Sequence, residues 1–177
     1  MLHLILGPMM GGKTTELIRQ LTRAQIAGKR VVLLRPEKDD RPELTHNKVS
    51  YDIEERFVSS IDDINWKEYD VIGIDEGQFF NSDFARRIDH VASTNRKVII
   101  SALNGTSERE PFETIQQLIP LADDISYEPA VCTDCGSEHA SYSFYILGTK
   151  TEAVKVGGKE AYTALCRNCY IKRSNEM

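Results

Sequence analysis

Residues 1–20 read MLHLILGPMMGGKTTELIRQ, and this stretch decides the fold. It begins with a short apolar run typical of a buried strand, continues into a glycine-rich loop, and ends in a helical pattern of apolar residues. The loop matches G-x-x-x-x-G-K-[ST], in which backbone N–H groups surround a phosphate. The stretch therefore predicts a nucleoside triphosphate site formed by eight residues: Gly7, Pro8, Met9, Met10, Gly11, Gly12, Lys13 and Thr14.

Further apolar runs alternate with helical segments as far as residue 122. Strands are predicted at residues 2–6, 30–34, 69–75 and 98–103. One helix should follow the glycine-rich loop, and Ser82 is a candidate N-cap for another. This alternation favours an α/β fold, with a mostly parallel sheet covered by helices on both faces. Residues 36–50 are predicted to form a functional loop, because they leave a strand end beside the phosphate loop.

Length, composition and charge limit the kinds of protein that this chain can be. A chain of 177 residues fits one domain with a small appended module, and 41% hydrophobic with 28% charged residues is ordinary for a soluble globular protein. The net charge of -5 disfavours nucleic acid and membrane surfaces as partners. No stretch resembles a signal peptide or a membrane span, so a cytoplasmic location is expected.

The segment VIGIDEGQFF, residues 71–80, would supply the acidic part of the site. In P-loop proteins, an apolar strand commonly ends in a carboxylate that holds Mg²⁺, here Asp75, and the Thr14 hydroxyl is a second candidate ligand. Glu76 lies next to Asp75 and is placed to orient or deprotonate the nucleophile. The alternative is a solvated acidic strand end, which the nearby P-loop disfavours. Phe79 would either pack in the core or stack on a flat base.

Two C-x-x-C pairs, separated by thirty residues, predict a metal site in the last part of the chain. Four thiolates form the tetrahedral set that suits structural Zn²⁺ and leave no open position for catalysis. Disulfides are disfavoured in a reducing compartment, and the spacing is not one usual for iron–sulfur clusters. We therefore predict an ATP-binding core over residues 1–130 and a zinc module over residues 131–177. The predicted ligands are Cys132, Cys135, Cys166 and Cys169.

Taken together, these motifs resemble the type II thymidine kinases, the small zinc-containing thymidine kinases of cells and viruses. The resemblance covers essentially the whole chain. It rests on GPMMGGKTTELIR, on KDDR with a following Thr-His, on VIGIDEGQFF, on ALNGTSEREPF and on the cysteine pairs. The most specific segment is GGKEAYTALCRNCY at residues 157–170, which is similar to the C-terminal signature of that family.

The resemblance implies an ATP-dependent kinase that transfers the γ-phosphoryl group to the 5′-hydroxyl of thymidine, and also of deoxyuridine, in nucleotide salvage. Glu76 would be the general base, and Lys13 and Arg41 would also be catalytic. Asp39 would join Thr14 and Asp75 around Mg²⁺. A RecA-like core, a homotetramer and feedback inhibition by thymidine triphosphate are further implications.

The resemblance also implies a nucleoside pocket closed by a lasso loop at residues 153–158, which would hold the base largely through backbone groups. The residues implied in nucleoside binding are Met9, Phe79, Leu103, Phe112, Lys155, Val156 and Tyr162. Two positions depart from the family. Ser107 stands where an aromatic wall residue is usual, and Ile146 where an arginine is common. Two alternatives therefore stay open: a kinase for another pyrimidine deoxynucleoside, or a non-catalytic nucleotide-binding regulator with a zinc-ribbon module.

Overall fold

The structure is a computed structural model that describes residues 1–37, 52–81, 83–147 and 161–176. Most of the predicted functional loop at residues 36–50 lies outside these ranges, as does the lasso loop. The individual residues with predicted roles that lie outside them are Asp39, Arg41, Ser82, Lys155 and Val156.

A six-stranded parallel sheet forms the centre of the fold. Its strands are β1 (Leu2–Gly7), β2 (Val31–Pro36), β3 (Glu54–Val58), β4 (Val71–Ile74), β5 (Lys97–Leu103) and β6 (Asp124–Tyr127). They lie in the order β3-β2-β4-β5-β1-β6, and each pairing between them is parallel. The strands β1, β2 and β4 are buried along their whole length, and β5 is buried except at its two end residues, as their mostly apolar sequences predict.

Helices cover both faces of this sheet, which confirms the predicted α/β class. They are α1 (Lys13–Ile26), α2 (Asp83–Ser93) and α3 (Glu113–Leu118). A fourth helix, α4 (Arg167–Asn175), packs against a separate pair of strands nearer the C-terminus. Short 3₁₀ turns occur at Ile61–Asp63, Trp66–Glu68, Gly77–Phe79 and Ile119–Leu121. Apolar residues of α1 form one core with one face of the sheet, while those of α2 and α3 form a second core on the other. No helix in the part of the chain described here is long and apolar enough to cross a membrane.

One close approach fixes α1 against β4. Leu21 of α1 is fully buried, and its methyl groups fill the space that a side chain at Gly73 would need. Only glycine allows this approach of helix to strand. The contact sets the relative positions of the two elements that carry Thr14 and Asp75.

Residues after the sheet build a smaller, separate layer. The strands β7 (Tyr142–Tyr145) and β8 (Tyr162–Leu165) form an antiparallel pair, and α4 packs against it. Cys132, Phe144 and Tyr170 belong to the core of this layer, and Met10 of the glycine-rich loop packs on its edge. The layer also touches the loop through the backbone N–H of Met9, which donates to Ser143 Oγ at 3.0 Å.

Two strands of the sheet were not predicted. Both β3 and β6 lie at the edges, and most of their residues are exposed or half-exposed. Their sequences, EERFV and DISY, therefore lack the apolar run that marked the inner strands. The predicted bounds of β2 were also too short, because Pro36 is the last residue of the strand rather than a stop before it.

Candidate active site

The glycine-rich loop joins β1 to the N-terminus of α1 and forms a backbone concavity. Met10 and Gly12 have positive φ angles of 64° and 81°, an arrangement that turns neighbouring N–H groups toward one side. Gly12 precedes the helix and provides no side-chain cap for its first turn. Backbone donors at the positive end of a helix dipole make this a site for an anion such as phosphate.

Two glycines of the loop are required by packing. A Cβ atom on Gly7 or Gly11 would clash with the backbone carbonyl oxygen of Glu128. Glu128 follows β6 directly and is held by its N–H, which donates to the Leu6 carbonyl at 2.8 Å. The end of the edge strand therefore supports the loop from beneath, a contact that the motif alone does not reveal.

Lys13 points back over the loop. Its side chain is only 8% exposed, and its Nζ donates to the Pro8 carbonyl at 2.7 Å. The ammonium group therefore lies beside the concavity, where it can contact the oxygen atoms of a bound phosphate.

Asp75 lies directly after β4 and is 1% exposed. Thr14 Oγ1 donates to its two carboxylate oxygens at 3.0 and 3.3 Å, and the Ser101 hydroxyl donates to Oδ1 as well. Two hydroxyl donors stabilise a buried carboxylate that would otherwise be costly. The structure thus brings together two of the three residues expected to hold a divalent cation; the third, Asp39, lies outside the described residues.

Glu76 adopts a left-handed backbone conformation, with φ of 54°, and is half-buried. Gln78 Nε2 donates to Glu76 Oε2, and Gln78 Oε1 accepts from the N–H of Leu103 at 3.0 Å. Gln78 is itself buried, at 6% exposed. One amide side chain therefore links the candidate base to the end of β5.

The predicted nucleoside-binding residues fall into two groups. Met9, Phe79 and Leu103 follow or end the adjacent strands β1, β4 and β5, so they lie at the same carboxyl edge of the sheet. Phe112 lies directly before α3, and Tyr162 lies on β8, where its ring meets that of Tyr145 edge-on at 5.3 Å. All five predicted residues in the described ranges are half-buried.

Phe79 and Phe80 have different environments, although they are neighbours in sequence. Phe80 is buried and stacks on Phe84, with ring centroids 4.2 Å apart. Phe79 stays half-exposed at the edge of the sheet. Phe79 is therefore not a fully buried core residue, and its contact with a base stays a prediction.

The four cysteines form a second candidate site, in the smaller layer. Their sulfur atoms all lie within 4.8 Å of one another, and Cys135 Sγ is 3.7 Å from Cys166 Sγ. Zinc–sulfur bonds of about 2.3 Å in a tetrahedron put the sulfur atoms about 3.8 Å apart. The spacing is too long for disulfides and fits a four-thiolate metal such as Zn²⁺.

Hydrogen bonds separate the cysteine pKa values. Burial raises the pKa of Cys132, but backbone N–H donors from Cys166, Cys135 and Asp134 outweigh this effect and lower it to about 6. A side-chain hydrogen bond with Cys166 raises the pKa of Cys169 to about 12. Cation binding therefore has to displace protons from thiols whose pKa values are raised.

Comparison with known proteins assigns the chain to a family. The family model described as thymidine kinase matches residues 1–170. The chain belongs to the thymidine kinase family. It is 41% identical to the thymidine kinase of Raccoon poxvirus over 175 residues, which cover 96% of each protein. It is 40% identical to the thymidine kinase of Vaccinia virus strain Western Reserve over 175 residues, which again cover 96% of each protein. It is 41% identical to the thymidine kinase of Yaba monkey tumor virus over 179 residues, which cover 98% of this chain and 96% of that protein.

The match confirms the resemblance, and it spans both the sheet and the cysteine centre. The two departures from the family pattern lie in different environments. Ser107 is buried and its backbone carbonyl accepts a hydrogen bond from the Tyr170 hydroxyl at 2.5 Å. Ile146 is 43% exposed at the end of β7, and its N–H donates to the Ala161 carbonyl.

Three contributors to the site were missed by sequence analysis: Ser101, Gln78 and Glu128. Ser101 left a signal, because it is a polar residue inside an apolar strand. In the sheet Ile74 pairs with Ile100, and Asp75 and Ser101 are the residues that follow this pair. Glu128 acts through its backbone and leaves no signal in its residue type.

Proposed function

We propose that this chain is an ATP-dependent thymidine kinase, which transfers the γ-phosphoryl group of ATP to the 5′-hydroxyl of thymidine to give dTMP and also accepts deoxyuridine. The observation that carries the proposal is the meeting of Thr14 with Asp75, directly beside Glu76, in a chain that matches the family from residue 1 to residue 170.

The phosphate groups of ATP bind the concavity of the glycine-rich loop, and Lys13 offsets their charge. Thr14 and Asp75 would hold Mg²⁺, with Asp39 as a further ligand. In support, Thr14 Oγ1 and Asp75 Oδ1 are 3.0 Å apart. Neighbouring ligands of an octahedral Mg²⁺ with bonds of about 2.1 Å are separated by about 3.0 Å. When bound, the ion neutralises charge that develops on the transferred phosphoryl group.

Glu76 accepts the proton of the 5′-hydroxyl as that oxygen attacks phosphorus. Its position supports this role, because it follows the metal ligand directly and Gln78 restrains its carboxylate. Arg41 contributes positive charge at the transferred group.

Thymine binds at the carboxyl edge of the sheet. Phe79, Leu103 and Met9 contribute from three adjacent strand ends, and Phe112 and Tyr162 complete the wall. The lasso loop, with Lys155 and Val156, covers the base. Because Ser107 is smaller than the aromatic residue usual in the family, the pocket can accept variation at the base.

The cysteine centre binds one structural Zn²⁺ and anchors the covering module, residues 131–177, on the ATP-binding core, residues 1–130. Four thiolate ligands within 4.8 Å of one another support this role, since they leave no position for a substrate. The working enzyme is a cytoplasmic homotetramer inhibited by thymidine triphosphate.

A steady-state assay with ATP, Mg²⁺ and a panel of pyrimidine nucleosides tests the proposal. Thymidine should give the highest kcat/KM, and Glu76→Gln should reduce kcat by about 10²- to 10⁴-fold because the proton acceptor is lost. Glu68→Gln, which neutralises an exposed carboxylate on the 3₁₀ turn before β4, is the control. No phosphorylation of thymidine or deoxyuridine would refute the function, and full activity of Glu76→Gln would refute the assigned base.

A further inference from the structure

A buried hydrogen bond joins the C-terminal helix to the segment between β5 and α3. The hydroxyl of Tyr170, on α4, donates to the backbone carbonyl of Ser107 at 2.5 Å. Tyr170 is 7% exposed and Ser107 is 9% exposed, so water has little access to either group. The bond connects residues 63 positions apart in the sequence.

The position of Tyr170 follows from the cysteine centre. Tyr170 comes directly after Cys169, and its N–H donates to the carbonyl of Cys166 at 2.9 Å. Its ring packs against Tyr142 and Phe144 of β7, with centroid distances of 5.2 and 5.4 Å. A cation that holds the cysteines in place therefore also holds the Tyr170 hydroxyl.

On the other side of the bond, residues 104–111 form a compact turn. The Thr106 N–H donates to the Glu110 carbonyl at 2.9 Å, and Arg109 has a positive φ of 67°. The guanidinium carbon of Arg109 lies 4.9 Å from the centre of the Tyr170 ring. Tyr170 thus contacts the turn twice, through its hydroxyl and through its ring.

The ends of this turn are residues of the proposed pocket. Leu103 directly precedes it and Phe112 directly follows it. The N–H of Asn104 donates to the Gly7 carbonyl at 3.2 Å, which fixes the first end to β1. At the second end, Phe112 packs against the core of the sheet, and its carbonyl accepts a hydrogen bond from the Gln116 N–H at 2.9 Å. The turn therefore spans two walls of the proposed pocket, and the Ser107 carbonyl lies between them.

We propose that Tyr170 is a positioning residue that couples the cysteine metal centre to the nucleoside pocket through the Ser107 carbonyl. This inference rests on the proposed function, because it concerns the walls of that pocket. The Tyr170 hydroxyl donates its one proton to the turn, so its removal should act on nucleoside affinity and leave ATP affinity unchanged.

The test uses Tyr170→Phe in the full, metal-loaded chain, which removes only the hydroxyl. KM for thymidine should rise about 5- to 30-fold, because a buried carbonyl loses its donor and the turn relaxes toward water. KM for ATP and zinc content should stay unchanged. Tyr142→Phe, which removes a hydroxyl from the neighbouring ring, is the matched control and should leave both KM values as they are. An unchanged KM for thymidine, or an equal rise for both substrates, would overturn the proposal.

Hydrogen exchange gives a readout that does not need activity. Amide exchange across residues 104–111 should be faster in Tyr170→Phe than in the unaltered protein. Removing the metal with a chelator should accelerate exchange there in the unaltered protein, and less so in Tyr170→Phe, since the link is already lost. Equal acceleration in both proteins would refute the coupling. If thymidine is not phosphorylated at all, the proposed function fails while exchange still decides whether the coupling exists.

Discussion

Gln78 offers a sharp test of how the candidate base is held. Its Nε2 donates to Glu76 and its Oε1 accepts from the Leu103 N–H at 3.0 Å. Two substitutions separate these contacts. Gln78→Met removes both hydrogen bonds, whereas Gln78→Glu keeps an acceptor for Leu103 and replaces the donor to Glu76 with a second carboxylate.

The expected magnitude follows from the type of bond. A hydrogen bond to a charged group contributes about 1.5–3 kcal/mol. At about 1.4 kcal/mol per factor of ten, its loss in the transition state reduces kcat/KM by roughly 10- to 150-fold. Gln78→Glu should lose at least as much, because like charges repel. Both variants should also lower the unfolding free energy: Gln78→Met leaves the Leu103 N–H unpaired, at a cost of about 1–3 kcal/mol, and Gln78→Glu buries a second carboxylate beside Glu76.

The assays are steady-state kinetics with thymidine, and urea unfolding followed by the fluorescence of Trp66, the one tryptophan of the chain. The matched control is Gln117→Met, because Gln117 also donates to a carboxylate, that of Glu113, but on the exposed face of α3. The control should change neither kcat/KM for thymidine nor the free energy of unfolding. If Gln78→Glu retained the kcat/KM of the unaltered enzyme, Gln78 would not position Glu76.

Three other predictions test the packing, the electrostatics and the metal. Gly73→Ala should destabilise the fold by about 1–3 kcal/mol, because the added methyl group crowds Leu21. The double variant Gly73→Ala, Leu21→Ala should lose less unfolding free energy than the sum of the two single variants. Additive losses in urea unfolding would contradict this contact. Hydrogen bonds from Arg30 lower the pKa of Asp70 to about 2, so its charge stabilises the fold above its unfolded pKa of about 4 and that stabilisation is lost as the pH falls through about 2. The stability difference between Asp70→Asn and the unaltered protein should therefore vanish at the lowest pH, and a constant difference would argue against the ion pair. Elemental analysis should find one zinc per chain, and chelation should lower the melting temperature; a metal-free preparation of equal stability would exclude a structural metal.

Much of the site follows from residues that are close together in the sequence. The phosphate loop needs a strand, a glycine-rich turn and a helix in direct succession, so residues 1–20 predict it without reference to the rest of the chain. Asp75 and Glu76 are marked by the buried strand before them, and each C-x-x-C pair is a local chelating unit. The inner strands are equally clear, because burial on both faces favours nearly continuous runs of apolar residues.

Tertiary structure decided the contacts between distant segments. Ser101 and Thr14 reach Asp75 from different elements, Gln78 joins Glu76 to β5, and the Glu128 carbonyl excludes side chains from the loop glycines. The edge strands β3 and β6 likewise became visible only in the sheet, because a strand with one exposed edge can be polar and still complete its backbone hydrogen bonds on the other.

The sequence by itself determined which chemistry this protein carries, since phosphate, metal and acid groups need particular residue types at short fixed spacings. Only the fold decided how these groups are supported. Their supporting partners come from strand order and register, and a hydrogen bond such as that from Tyr170 to Ser107 depends on two surfaces meeting, which no spacing in the sequence records.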